Sequence, residues 1–254
     1  MGEGKQDRDP VGRRLLRFLA SLYSWVVLTL VTVVVVSSYW VVGLFGGGTR
    51  AWQSALHYWA RALLALGPFR LRVEGLEDLP DRAVLTSNHQ GILDIAIIAA
   101  VVSRPVYFVA RRGVLSVPFI GTALAGGGHL IVDRDSSRRD GTVLERAAAR
   151  LQEPGRVLFF PEGTRSADGS VGPFRSGAFR VAVASGRPLV PVAIAGSRFA
   201  TPKSSKGIFP ARVAVAFLDP LTAEQASAPE AREEVRQRIV NALARLDKIT
   251  GPRI

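Results

Sequence analysis

The chain has 254 residues, 48% of them hydrophobic, enough for one domain with a sizeable core and an appendage. Lysine and arginine exceed aspartate and glutamate by 33 to 21, a net charge of +12, which favours an anionic partner, either nucleic acid or an acidic lipid surface. No cysteine is present, which excludes a disulfide framework and a thiol nucleophile and suits a domain facing the cytoplasm.

Residues 1–12 are polar and glycine-containing and read as a disordered tail. Arg13, Arg14 and Arg17 follow, and no charged side chain occurs again until Arg50. A charge-free stretch over 18–49 exceeds the roughly 20 residues needed to span hydrocarbon. Trp25, Tyr39 and Trp40 are the aromatics expected at the two interfaces. The apolar run is too long for a cleaved signal peptide and lacks a small-residue cleavage site. Gly43, Gly46, Gly47 and Gly48 interrupt the pattern, and a second apolar helix is expected over 51–66, with Trp52, Tyr58, Trp59 and a single Arg61. Basic residues before the first helix, and Arg70 and Arg72 after the second, favour the same side of a bilayer. Residues 13–67 are therefore expected to form a two-helix membrane anchor, crossing twice or dipping into one leaflet, with the remainder on the cytoplasmic face. A nucleic-acid partner is excluded: there is no recognition fold and no aromatic-basic interleaving.

Gly67-Pro68 marks the boundary, and over 68–254 short apolar runs alternate with helical stretches. Strands are predicted at 71–74, 83–87, 106–110, 129–132, 157–160, 189–195 and 212–217, and helices at 95–102, 136–152, 177–185 and 223–248. The alternation implies an α/β domain, a mixed and mostly parallel sheet flanked by helices. Residues 203–210 read as a polar loop. The last helix pairs charged residues with Val235, Ile239, Leu243 and Leu246 at amphipathic spacing.

Ser87-Asn88-His89-Gln90-Gly91-Ile92-Leu93-Asp94 joins the end of a buried strand to the start of a buried helix. An aspartate suits the unpaired N–H groups of a helix N-terminus. Its carboxylate can also fold back on His89 Nδ1–H, which leaves Nε2 free as a base. Read alone, the stretch is equally a turn histidine followed by a capping aspartate. About 70 residues on, Val157-Leu158-Phe159-Phe160 runs into Pro161-Glu162-Gly163-Thr164-Arg165-Ser166.

The pairing of H-x4-D with F-P-E-G-T-R resembles the glycerolipid acyltransferase family, in particular the 1-acyl-glycerol-3-phosphate acyltransferases. Further matching blocks lie at 117–121, 130–134, 173–179 and 190–192, in the family's order over about 70–200. The resemblance implies that His89 and Asp94 are catalytic and that Arg134, Glu162, Gly163, Thr164 and Arg165 hold the acceptor. It also implies, in some members, a shallow two-helix anchor below the catalytic domain. Glu162 is expected either in acceptor binding or site architecture, or paired internally with Arg165. The chain departs from the family at Ala110-Arg111-Arg112-Gly113, where a lysine is common. Arg111 still suits a phosphate, as a bidentate fork in place of a compact charge.

Acyl transfer to an alcohol needs a base, donors for the oxyanion and a grip on the acceptor. His89 with Asp94 supplies the first, and backbone N–H groups around Gly91 or Gly163 are candidates for the second. No G-x-S-x-G elbow is present, so a serine acyl-enzyme is excluded and direct transfer is expected. The expected activity is acylation of 1-acyl-glycerol 3-phosphate, a lysophospholipid acceptor, to phosphatidic acid at a membrane. Acyl-CoA or acyl carrier protein is the donor co-substrate, and no cofactor is expected. Alternatives are glycerol 3-phosphate or another lysolipid as acceptor, a lipid or thioester hydrolase, and a non-catalytic lipid-binding protein. Three dispersed histidines and no cysteine give no metal site. His57 reads as a membrane-interface residue and His129 as a strand entry.

Overall fold

The computed structural model describes residues 11–44, 48–102, 105–116, 120–132 and 141–253. Helices α1 (Val11–Leu44) and α2 (Gly48–Leu66) come first. Then follow β1 (Phe69–Glu74), β2 (Arg82–Ser87), α3 (Leu93–Val101) and β3 (Val106–Arg111). After a 3-10 turn at Arg112–Ser116 come α4 (Ile120–Gly126), β4 (Leu130–Val132), α5 (Gly141–Arg150) and β5 (Gly155–Phe159). The chain ends with α6 (Gly177–Ser185), β6 (Leu189–Ala195), α7 (Ser197–Ala200), β7 (Ala211–Phe217), α8 (Ala223–Ser227), α9 (Ala231–Leu246) and β8 (Gly251–Pro252).

The strands form one sheet in the order β1-β7-β6-β2-β5-β3-β4, with β8 pairing on β7. Neighbours are parallel except β6 with β7 and β7 with β8. The inner strands are apolar on both faces because both are covered, the pattern of a parallel sheet. Alternate residues divide between two cores. Leu85, Leu158, Val192 and Ile194 meet Val27, Val31, Ala60 and Ile97 of α1, α2 and α3 on one face. Val84, Val157, Ala193 and Ala195 meet Ala147, Phe179, Val235 and Ile239 of α5, α6 and α9 on the other. Each of the large aliphatics that α9 buries (Val235, Ile239, Leu243, Leu246) is worth roughly 1.5–3 kcal/mol.

The mixed, mostly parallel sheet flanked by helices is as the sequence predicts, with three local differences. The helix expected over 223–248 is two, because Pro229 pushes Ala228 out of helical conformation (ψ 141°) while a Thr222–Gln225 capping box starts the first piece. Val11 and Gly12, placed in the tail, begin α1. The short α4, α7 and β8 carry no periodicity long enough to read.

Residues Val11–Ser38 are long and apolar enough to cross a membrane, and 11% of the most apolar window is buried. Leu15, Phe18, Leu22, Val26, Leu30 and Val33 are exposed along it. No second helix among the described residues passes that test. The companion α2 is built into the domain: Gln53 Nε2 donates to Gly127 O at 2.6 Å, His57 Nδ1 donates to Ala99 O of α3 at 2.9 Å, and Trp59 Nε1 donates to Thr32 Oγ1 at 3.0 Å. Within 13–67, α2 is thus fastened to α1, to α3 and to Gly127. The 203–210 loop is fastened as well: Trp25 Nε1 donates to Lys206 O at 3.2 Å, Ile208 N–H donates to Ser21 Oγ at 3.2 Å, and Arg17 lies over the Phe209 ring.

Candidate active site

Parallel pairing decides what meets at the carboxyl edge of the sheet. Thr86 of β2 is level with Phe159 of β5, and Phe108 of β3 with Leu158. The segments leaving β2, β5 and β3 therefore emerge together, which brings the 88–94 turn, the 160–166 turn and Arg111 to one place. Ligand sites of open α/β sheets form at this edge.

The first turn is anchored at both ends. Asn88 is buried, donating to Ile194 O at 2.9 Å and accepting from Ile194 N–H at 2.8 Å, which clips the turn to β6. Asp94, fully buried, accepts through Oδ2 from His89 Nδ1 at 2.7 Å, Gln90 N–H at 2.7 Å and Gly91 N–H at 3.0 Å. Because that oxygen only accepts, Nδ1 carries the proton and Nε2 is the acceptor nitrogen. Nε2 has no partner among the described residues, and the imidazole is 16% exposed, stacked on Phe160 at 4.0 Å between centroids. Gly91 is required by crowding: a Cβ there would stand 2.5 Å from Thr201 Oγ1 and 2.7 Å from Ser197 O.

The second turn is tied to the first by Glu162. Its Oε1 accepts from His89 N–H at 3.0 Å and its Oε2 from Gly172 N–H at 2.9 Å. Burial pushes its pKa up, against the pull of those two bonds. Ser166 N–H returns a bond to His89 O at 2.7 Å. The internal Glu162–Arg165 pair open in the sequence does not form: both carboxylate oxygens face backbone. Arg165 has no side-chain partner among the described residues, and its carbonyl accepts from Lys203 Nζ at 2.7 Å. Thr164 Oγ1 is 3.4 Å from the same ammonium. Arg111 Nη2 donates to Gly163 O, and Gly163 holds a left-handed φ of 69° that favours glycine. Arg134 lies outside the described residues.

One expectation changes. The N–H groups of Gly91 and Gly163 are both committed, to Asp94 and to Phe160 O at 3.0 Å, so neither is free for an oxyanion. Those of Ile92 and Thr164, one residue on, are free of partners among the described residues. His57, read only as an interface residue, also holds a carbonyl near the end of α3. His129 Nδ1 accepts from Phe108 N–H at 3.0 Å, and burial, helped by Arg150, pulls its pKa down to about 4, so it is a neutral structural acceptor. No His/Asp/Glu group that could hold a metal occurs among the described residues. Sequence reasoning gave no role to Asn88, Phe160, Lys203 or Arg175. Asn88 lay in the 87–94 stretch, Phe160 in F-P-E-G-T-R, Arg175 in the 173–179 block and Lys203 in the polar 203–210 loop, each without a role of its own.

Residues 70–195 match the family model described as Acyltransferase. The chain is 37% identical over 151 residues to a chloroplastic 1-acyl-sn-glycerol-3-phosphate acyltransferase of Arabidopsis thaliana, 58% of this chain and 42% of that one. It is 29% identical over 177 residues to the 1-acyl-sn-glycerol-3-phosphate acyltransferase of Escherichia coli, 67% of this chain and 71% of that one. The match thus spans less than half the length of the plant relative. The crystal structure of the 1-acyl-sn-glycerophosphate acyltransferase PlsC of Thermotoga maritima has the same fold, with a TM-score of 0.73 at 24% identity over 93% of this chain and 97% of that one.

Proposed function

Because residues 70–195 belong to the acyltransferase family, we propose that the protein transfers a fatty acyl group from an acyl thioester to the sn-2 hydroxyl of 1-acyl-glycerol 3-phosphate, giving phosphatidic acid. The observation that supports this best is the His89–Asp94 pair held at 2.7 Å beside the arginine-bearing turn. His89 Nε2 takes the proton of the acceptor hydroxyl as its oxygen attacks the thioester carbonyl. Asp94 fixes the tautomer and steadies the imidazolium that forms. The tetrahedral oxyanion, facing N–H groups such as those of Ile92 and Thr164, then collapses. The C–S bond breaks, and the thiolate leaves with the proton from His89.

In this reading Arg111, Arg134 and Arg165 hold the acceptor phosphate, Glu162 fixes the turn that presents them, and no cofactor takes part. The donor is acyl-CoA or acyl carrier protein. In the same reading the apolar α1 holds the protein at a bilayer, and the charges of Arg13, Arg14 and Arg17 support a site on the cytoplasmic face. The test is thiol release from a long-chain acyl-CoA by detergent-solubilised protein, with and without 1-acyl-glycerol 3-phosphate. Release is expected to need the acceptor and to fall about 10²- to 10⁴-fold in His89→Ala. Release that ignores the acceptor but is lost in the variant would make the protein a thioester hydrolase.

A further inference from the structure

The groups given roles so far leave out Arg175, and the surroundings of Gly163 show why it belongs with them. The position a Gly163 Cβ would occupy is 3.3 Å from Arg111 Nη2, 3.2 Å from Arg175 Cζ and 3.4 Å from Arg175 Nε. Two guanidinium groups from distant parts of the chain thus close on one glycine. The backbone puts Arg175 there: its N–H donates to Pro161 O at 3.1 Å, and Gly172, just before it, is held by Glu162. Glu162, the carboxylate of this turn, forms an ion pair with neither guanidinium; its oxygens accept from the N–H groups of His89 and Gly172. The Arg175 guanidinium has no hydrogen-bond or ion-pair partner among the described residues, and Arg111 spends one N–H on Gly163 O. Like charges brought this close without a counter-charge suit an anion with several oxygens in a plane-matched arrangement, as a phosphate has.

We propose that Arg175 and Arg111 form a clamp across Gly163 for a substrate phosphate group. The glycine is then demanded twice, by its left-handed φ and because any side chain would stand in the clamp. The inference rests on the acyl-transfer reading, in which either the acceptor headgroup or the phosphates of acyl-CoA could supply the anion.

The experiment compares full-length wild type with Arg175→Ala and Arg175→Lys, reading thiol release while each substrate is varied in turn. Removing one charge-assisted contact at this exposed position should raise KM for the phosphate-bearing substrate about 10-fold, with kcat within a few-fold, and lysine should restore part of it. A rise confined to 1-acyl-glycerol 3-phosphate assigns the clamp to the acceptor. A rise confined to acyl-CoA, absent with an acyl-pantetheine donor, assigns it to the donor. Unchanged KM for both, or a fall in kcat alone, overturns the clamp and leaves Arg175 as a support of the turn. Should wild type show no acceptor-dependent turnover, the functional reading fails, and calorimetric titration with glycerol 3-phosphate decides the clamp independently. A loss of affinity of about 10-fold in Arg175→Ala supports it, and equal or undetectable binding in both proteins overturns it. Arg175→Gln, polar and uncharged, is read the same way if the alanine variant does not fold.

Discussion

Replacing Asp94 by asparagine removes one charge while keeping the shape of the turn between β2 and α3. With its amide oxygen where Oδ2 stands, asparagine still accepts from His89 Nδ1, Gln90 N–H and Gly91 N–H. The amide nitrogen then falls where Oδ1 is now, a buried position with no partner. That buried donor costs about 1–3 kcal/mol of stability, a fall of several degrees in Tm that leaves the protein folded at assay temperature. The larger effect is on the proposed reaction, in which His89 would become an imidazolium 2.7 Å from the missing carboxylate. At an effective dielectric of about 20, unit charges at that distance attract by about 6 kcal/mol. The amide dipole and water at the partly open imidazole recover some of this, leaving about 3–5 kcal/mol, or roughly 10²- to 10⁴-fold in kcat. The assay is acceptor-dependent thiol release, with circular dichroism and a melting curve on the same preparation. A folded Asp94→Asn protein within 10-fold of wild-type kcat would refute the reasoning and reduce Asp94 to a helix cap.

Two further outcomes follow from the same turn and its surroundings. Gly91→Ala puts a methyl 2.5 Å from Thr201 Oγ1 and 2.7 Å from Ser197 O, and the main-chain carbonyl cannot rotate away. A loss of about 1–3 kcal/mol in urea unfolding is expected, only partly recovered by adding Thr201→Ala. Full recovery would show that the carbonyl contact does not matter. His129, with its pKa drawn from 6.5 down to about 4, binds protons more readily unfolded than folded. The stability this gives is complete above pH 6.5 and is lost as pH falls toward 4, up to about 3 kcal/mol. His129→Gln keeps an acceptor near Phe108 N–H but does not titrate, so its melting temperature should fall less between pH 7 and pH 4.5. Parallel curves for the two proteins would remove His129 as the source of that acid sensitivity.

The parts of the site legible in the sequence are those set by short spacings. His89 and Asp94 are five residues apart, and one turn at a helix start suffices to bring imidazole to carboxylate. The unbroken apolar run of β6 announces a strand covered on both faces. What was not legible depends on which strands are neighbours. Of the two bonds of Glu162, the one to His89, 73 positions away, exists because β2 and β5 run side by side, and the one to Gly172, 10 positions on, closes the loop after β5. The same adjacency takes Glu162 away from Arg165, the partner that closeness in sequence suggests. The partner of His57 was hidden for another reason: an apolar helix facing lipid and one facing a buried helix carry the same composition, so the bond to the Ala99 carbonyl leaves no mark in the sequence. The break at Ala228 was within reach, since the residue before a proline avoids helical backbone, but the strong periodicity around it conceals the interruption.

The 203–210 loop has one face toward each end of this problem. Through Lys206, Ile208 and Phe209 it is fastened to Trp25, Ser21 and Arg17 of α1, and through Lys203 it holds the carbonyl of Arg165. At a bilayer, the helix and the reaction centre would share one frame of reference. The depth at which α1 rests in lipid would set the height of His89 above the acyl chains. An acceptor diffusing in the plane of the leaflet would then arrive with its headgroup already level with the arginines. The encounter would be a search in two dimensions, with its vertical coordinate fixed by the length of one helix.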